Sequence, residues 1–283
     1  MTVPIQFLAL HGDFPARLAA GDPDVVRPLS RLTGTTGAAL VLGAEGRPAR
    51  YDPAALATSL TVRLPGWPVL ATSDGRGDHP YNAARRFLSL DHLSRGRSGV
   101  VFRGDGASAE HTAERIRVIR ALWNSWPLES LVADRDTGVY AQVDGIRAID
   151  HEGVDFRVYG ALNSPASIQG EPVTVWHITT AAELDAAHGL VDLVVLDRPA
   201  LLERWTASPE DGRPGLVAVG LNHNGAAVGE LVPVRTSAEL AEAAADSTTA
   251  ARGAAPTLRA VLGLPVRSYD LSSKPFAFGV PSA

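Results

Sequence analysis

HPYNAARRFLSLDHLSRGRSGVVF, His79–Phe102, is the stretch whose reading decides the fold. Pro80 and Tyr81 open a helix, since a first-turn residue needs no N–H partner. Ala83, Phe87 and Leu90 then share one face, at spacings of four and three. Gly96 is expected to end this helix and Arg97 to enter a strand. Ser98–Phe102 (SGVVF) is continuously apolar, the pattern of a strand covered on both faces. A helix therefore leads at once into a buried strand.

The same alternation runs outward in both directions. Strand-like runs precede it at Ile5–Leu10 (IQFLAL), Ala38–Leu42 (AALVL) and Trp67–Ala71 (WPVLA). Others follow at Val173–Ile178, Val191–Leu196 and Leu216–Leu221, with a weaker eighth at Leu231–Val234 that contains Pro233. Helical patterns fall between them at Asp52–Leu60, Ala113–Trp126, Thr180–His188, Pro199–Trp205, Ser237–Ala245 and Thr257–Leu262. About eight strand–helix units predict an α/β fold, a (β/α)₈ TIM barrel spanning residues 1–283 as a single domain. The rival is an open doubly wound sheet. Its dinucleotide-binding form needs a G-x-G-x-x-G turn after the first strand, and Leu10 is followed instead by HGDFPARLAAG. No Walker A motif occurs. The irregular stretch 127–172 is long enough to be a lid, and DFRVYG within it reads as a small extra strand.

Composition narrows the chemistry. The chain has 283 residues, a formal charge of −5 and 45% hydrophobic residues. That balance shows no electrostatic footprint for nucleic acid. No apolar run approaches the roughly 18 residues of a membrane span. The N-terminus lacks the basic region of a signal peptide. Cysteine is absent, which removes disulfides, thiol catalysis and Cys-ligated metals. A cytoplasmic location is expected. The eight histidines show no metal-ligand spacing, and metal is expected to be absent. Lys274 is the one lysine, so nearly all positive charge is arginine.

PYNAARRFLSLDHLSRGRSGVVFRG, from Pro80 to Gly104, resembles a segment of the bacterial luciferase-like flavin-dependent monooxygenases. The similar branch holds the nitrilotriacetate, dibenzothiophene-sulfone and long-chain alkane monooxygenases. Glu114–Val173, which includes AIDHEGVDFRVYGALNSPASIQGEPV, resembles that branch's next helix, acidic loop and following run. TLRAVLGLP, Thr257–Pro265, looks like its C-terminal helix. The resemblance covers roughly residues 51–178 and the chain is short for the branch. It implies a (β/α)₈ barrel and an FMN-dependent monooxygenase or flavin oxidoreductase. Such an enzyme uses reduced FMN, O₂ and a small organic substrate, with the reduced flavin coming from a separate reductase. A homodimer or a heterodimer with a homologue is expected by the same analogy. Two alternatives stay open: a non-catalytic or partner subunit on a degenerate barrel, with no cofactor, and an oxidoreductase using the deazaflavin F420.

Site residues are expected after the C-terminal strand ends. His11 follows the first strand and is a candidate catalytic residue as a substrate-side polar group; His79 precedes the Pro80 helix and is a candidate acid–base group. Thr72 and Ser73, after the third strand, are expected on the flavin ring edge, with Tyr81 stacking or hydrogen bonding nearby. Arg103 is a candidate for phosphate or an anionic substrate. Thr179 and Thr180 stand where the resemblance implies a Gly-Ser-Ser-type turn for the FMN phosphate, with Thr180 also readable as an N-cap. The branch's WNVVTS is VVFRG here, and Glu45 only loosely replaces an expected Asp. Asp91 and His92 read as a packed pair near a helix C-terminus, at the end of the barrel away from chemistry.

Overall fold

The structure is a computed structural model that describes residues 5–29, 38–45, 51–75, 77–104, 106–247, 257–267 and 269–278. Eight parallel strands close a barrel: β1 (Ile5–Leu10), β2 (Ala38–Leu42), β3 (Val69–Ser73), β4 (Ser98–Arg103), β7 (Val173–His177), β8 (Leu193–Leu196), β9 (Gly215–Ala218) and β10 (Gly229–Val234). Their order round the barrel follows the chain, and β10 closes onto β1 from Ile5↔Gly229 to Leu10↔Val234. Pro233 is tolerated because β10 pairs with β9 only at Gly229 and Glu230, so the rest of the strand behaves as an edge on that side.

The outer layer holds α1 (Phe14–Ala20), α2 (Pro23–Leu29), α3 (Pro53–Arg63), α4 (Pro80–Ser94), α5 (Ala109–Trp123), α6 (Ala181–Ala187), α7 (Pro199–Ala207) and α8 (Ser237–Ser247). No helix connects β9 to β10; residues 219–228 make turns instead. In them Asn222 accepts from the Asn224 N–H and His223 accepts from the Ala227 N–H. The polar run after the seventh barrel strand is thus a turn. The opening helix α4, read from the sequence as Tyr81–Leu93, runs one residue further at each end, from Pro80 to Ser94. Arg95, not Gly96, is its C-cap and takes the left-handed conformation at φ 57°.

Two clusters form the core. Ile5, Phe7, Ala9, Val41, Leu70, Val101, Val175, Val195 and Val217 fill the barrel. Leu8, Leu40, Val100, Trp176 and Val194 alternate with them and pack outward on the helices. The bottom of the barrel is stoppered by α9 (Leu258–Leu262), whose Leu258 and Leu262 join the interior cluster. Arg259 of α9 is buried and makes a two-pronged pair with buried Asp192, 2.9 Å on each side.

The Asp-His pair of the opening stretch also belongs to this lower end. Buried Asp91 accepts from Ser98 Oγ at 2.8 Å, Gln169 Nε2 at 2.7 Å and Ser167 Oγ. It ties the end of α4 to the start of β4 and to the segment entering β7. Burial raises its carboxyl above the usual range, against the hydrogen bonds that favour the ionised form. His92 Nε2 lies 2.9 Å from the Pro165 carbonyl. Both are structural, as their position in the fold predicts.

Residues 127–172 carry single turns at Leu128–Ser130 and Val143–Gly145 and a short antiparallel ribbon, β5 (His151–Glu152) with β6 (Arg157–Val158). The expected extra strand is β6. Glu114 of α5 pins the ribbon's turn. Its carboxylate lies 3.0 Å from His151 Nε2 and accepts from the backbone N–H groups of Val154, Asp155 and Phe156. Burial would raise Glu114, but these contacts hold it below the usual carboxylate range.

Candidate active site at the barrel mouth

Side chains alternate along a strand, so the residue two places past an inward one also faces inward. Val41, Leu70, Val101, Val175 and Val195 surround an apolar cavity of about 20 Å³. Two residues on from Leu70, Val101, Val175 and Val195 come Thr72, Arg103, His177 and Asp197. The barrel is therefore closed by an apolar layer with a polar layer above it. A cavity this small admits no organic ligand, so any ligand lies outside the apolar layer.

Arg103 and His177 sit side by side because β4 and β7 pair in that register. Arg103 is half-buried and donates to the Ala44 carbonyl at 2.6 Å, which draws the guanidinium across the mouth. Burial lowers its pKa, opposed by Asp197 and Asp74. His177 is pushed down to about 4, first by burial and then by the Arg103 charge, against Asp197 and Glu183. It is a neutral imidazole at neutral pH. Its Nε2 lies 3.9 Å from Asp197.

His11 lies at the rim, after β1. Its Nδ1 is 3.1 Å from Glu45 Oε1, which also accepts from the Gly12 N–H at 2.5 Å. Burial lowers the His11 pKa; the Glu45 charge opposes this and Arg235 adds to it. Glu45, a loose substitute in the sequence, is thus the partner of His11. Gly43 lets the chain reach that position. It has φ 80°, and a Cβ there would stand 2.8 Å from Pro53 Cγ and 3.1 Å from Thr72 Cβ.

The other expected site residues divide. Thr72 is 7% exposed, and its Oγ1 is buried without a hydrogen-bond partner. Ser73 points the other way, out of the barrel, and accepts from Arg115 at 2.8 Å. Strand alternation separates these two neighbours, so Ser73 is not at the mouth. Tyr81 donates its hydroxyl to the Ala161 carbonyl at 3.4 Å and packs against the outer core, tying α4 to the 127–172 segment. His79 is the N-cap of α4: its Nδ1 accepts from the Tyr81 N–H at 3.3 Å, and its ring meets Phe156 edge-on.

Thr179 and Thr180 are engaged by the chain itself. Thr180 caps α6 in a capping box with Glu183. Glu183 Oε2 accepts from Thr179 N at 2.7 Å, Thr179 Oγ1 at 2.8 Å and Thr180 N at 3.0 Å. A carboxylate of the protein therefore stands where a phosphate is expected on those amides. The T-x-x-E spacing of a capping box was legible in the sequence. His177 and Asp197 were missed; the alternation along VTVWH and LVVLD was the signal that could have found them.

Among the described residues, no group of His, Cys, Asp and Glu is placed to hold a metal ion. Among them no helix is long and apolar enough to cross a membrane.

No protein-family model matches the chain. A subunit of the pristinamycin IIA synthase of Streptomyces pristinaespiralis is 39% identical over 122 residues, 43% of this chain and 42% of that protein. Dibenzothiophene-sulfone monooxygenase of Rhodococcus erythropolis is 34% identical over 149 residues, 47% of this chain and 33% of that protein. These matches span well under two thirds of the relatives' own length. The structure of a long-chain alkane monooxygenase superposes with a TM-score of 0.61 at 17% identity, covering 78% of this chain and 65% of that one. That likeness shows the fold. Over less than half of its length the chain is thus similar in sequence to dibenzothiophene-sulfone and nitrilotriacetate monooxygenases, and its closed barrel has the fold of a long-chain alkane monooxygenase.

Proposed function

We propose that this chain serves the flavin-dependent oxygenation of a small organic substrate, with reduced FMN delivered by a separate reductase. The similarity to named monooxygenases, on a barrel whose mouth is polar over an apolar floor, carries this reading. The residues present fit a flavin at the mouth. Thr72 offers a buried hydroxyl with no partner, and Arg103 a half-buried cation.

Bound reduced flavin would supply the electrons that activate O₂. The chain's own residues have simpler tasks. Thr72 would meet the polar ring edge and Arg103 the phosphate. His11, with Nδ1–H directed to Glu45, keeps Nε2 as an acceptor able to take a substrate proton. The 127–172 segment, pinned at its ribbon turn by Glu114, would serve as the lid that keeps water from the site. A cytoplasmic setting and a dimer belong to the same proposal.

The test is a titration of the purified chain with oxidised and photoreduced FMN, read by flavin fluorescence and absorbance, with F420 in parallel. Micromolar binding of reduced FMN, weakened about tenfold by Arg103→Ala through loss of a charge-assisted contact, is the expected result. Binding of F420 alone moves the assignment to hydride transfer.

A second reading is favoured by two observations. A Streptomyces protein that this chain is similar to is named as a subunit. Glu183 already occupies the amides expected to receive phosphate. On this reading the chain works as one subunit of a two-chain monooxygenase. Absence of flavin binding by the isolated chain, together with activity gained on mixing with a homologous chain and a reductase, supports it.

A further inference from the structure

We infer that the apolar cavity inside the barrel is a holding site for dioxygen, directly beneath the mouth. At about 20 Å³ it is too small for an organic substrate or a flavin, but it has room for one molecule of two atoms. Each of the eight barrel strands contributes to its wall, from Phe7 on β1 to Leu231 on β10, so the barrel itself encloses it. Below, Leu258 and Leu262 of α9 complete the interior cluster. Above, Arg103 and His177 form the roof, side by side through the register of β4 and β7.

The class of ligand follows from the wall. Phe7, Val41, Leu70, Val101, Val175 and Val195 bring only carbon to it. A buried water needs about two to four polar partners. Of the two polar side chains in the lining, Arg103 already donates to the Ala44 carbonyl at 2.6 Å. The other, His177, has its Nε2 turned to Asp197, 3.9 Å away. The strand amides and carbonyls around the cavity are used in the ladder of the closed barrel. Water therefore finds too few partners, and the cavity stays dry. The atoms lining a dry void lack dispersion contacts on one side, and an apolar guest restores them, as xenon does in engineered cavities. A charged or hydrogen-bonding guest would lose its hydration with nothing in return.

The roof residues belong to the polar layer on which a flavin is proposed to lie. Occupancy of the cavity by gas stands without that reading; use of the gas at the mouth rests on it. No bond forms in the cavity, which raises the local concentration of dioxygen next to the mouth.

The experiment is methyl NMR on the intact chain without flavin, labelled at valine and leucine methyls, under argon and under oxygen pressure. A two-atom ligand binds at about millimolar strength at best, so pressure is needed to fill the site. Dioxygen is paramagnetic and speeds the relaxation of nuclei that it touches. Leu70 and Val175 of the cavity wall are 0% and 1% exposed, and Leu40 and Val100, which pack outward on the helices, are both 0% exposed. Oxygen should enhance relaxation in the first pair at least about threefold more than in the second, because close packing excludes gas where there is no void. Xenon should shift the methyls of the first pair as well. Val195→Ile, or Val41→Ile from the opposite wall, adds a methylene that fills the space and should remove both effects. Two positions keep the test valid if one variant fails to fold. With reduced FMN bound, Val195→Ile should slow reoxidation by dioxygen about threefold at unchanged FMN affinity. Equal enhancement in the two pairs, an effect that survives both fillings, or magnetisation transfer from water to the Leu70 and Val175 methyls overturns the proposal. Enhancement without FMN binding upholds the site and removes only its use in oxygenation. FMN binding without enhancement removes the site and leaves the flavin reading standing.

Discussion

His177 shows what one position in a barrel does to a side chain. The residue ends an apolar strand, faces inward and lies beside a guanidinium, so its charged form is disfavoured twice. Its folded pKa of about 4 lies below the ordinary value of 6.5. As pH falls, the unfolded chain takes the proton first. Stability is therefore fully present above pH 6.5 and is lost as pH drops toward 4. The loss is up to about 3 kcal/mol, since each pH unit between the unfolded and folded values is worth about 1.4 kcal/mol. Urea midpoints measured across that range should fall in the wild type and fall less steeply in His177→Asn. Equal slopes in both would show that the imidazole is not held neutral by the fold. His11 is lowered by the same physics, but its contact with Glu45 pulls in the other direction.

Among the elements, the 127–172 segment matters because it has little regular structure of its own. A segment so poor in ladder bonds needs outside anchors, and Glu114 is the main one at the ribbon turn. Tyr81 adds a second tie from α4 through Ala161. Replacing Glu114 by Ala leaves backbone donors at Val154, Asp155 and Phe156 without their acceptor. Amide exchange at those three positions should accelerate by at least about tenfold, while exchange in the barrel strands stays unchanged. Uniform acceleration through the barrel would mean that the ribbon and the barrel open together. His111, 3.1 Å from Asp155, is a lesser brace on the same turn.

For the molecule as a whole, the barrel is held shut at opposite ends by different means. The mouth is a layer of polar side chains; the bottom is a helix. Arg259 and Asp192 fasten that helix with both residues about 1% exposed as side chains. Arg120 and Glu171 form a second buried pair nearby, 2.7 Å apart. Removing Arg259 leaves the buried Asp192 with Arg267, 3.0 Å away and partly exposed, and with the donors of Thr174. Arg259→Ala should therefore cost about 3 kcal/mol in chemical denaturation, the low end for a broken buried pair, and Arg259→Met with Asp192→Asn distinctly less. If the double replacement costs as much as both single ones added, the two residues are not coupled and the stopper is held by Leu258 and Leu262 alone.

Much of this architecture was determined by the sequence itself. Continuous apolar strands, Pro80 at a helix start and the order of eight strand–helix units specify a parallel barrel, because only helices on the outside cover strands that are apolar on both faces. The roles of Asp91 and His92 also followed, since the fold puts that helix end away from the mouth. The tertiary structure decided what local pattern cannot encode. Thr72 and Ser73 are adjacent in sequence but face opposite sides of the wall. Thr179 and Thr180 satisfy Glu183 before any ligand arrives. Arg103 and His177 are seventy-four positions apart yet become neighbours through strand register. Strand pairing and burial are long-range properties. They decide which polar groups remain open to a ligand, and the charge each one carries.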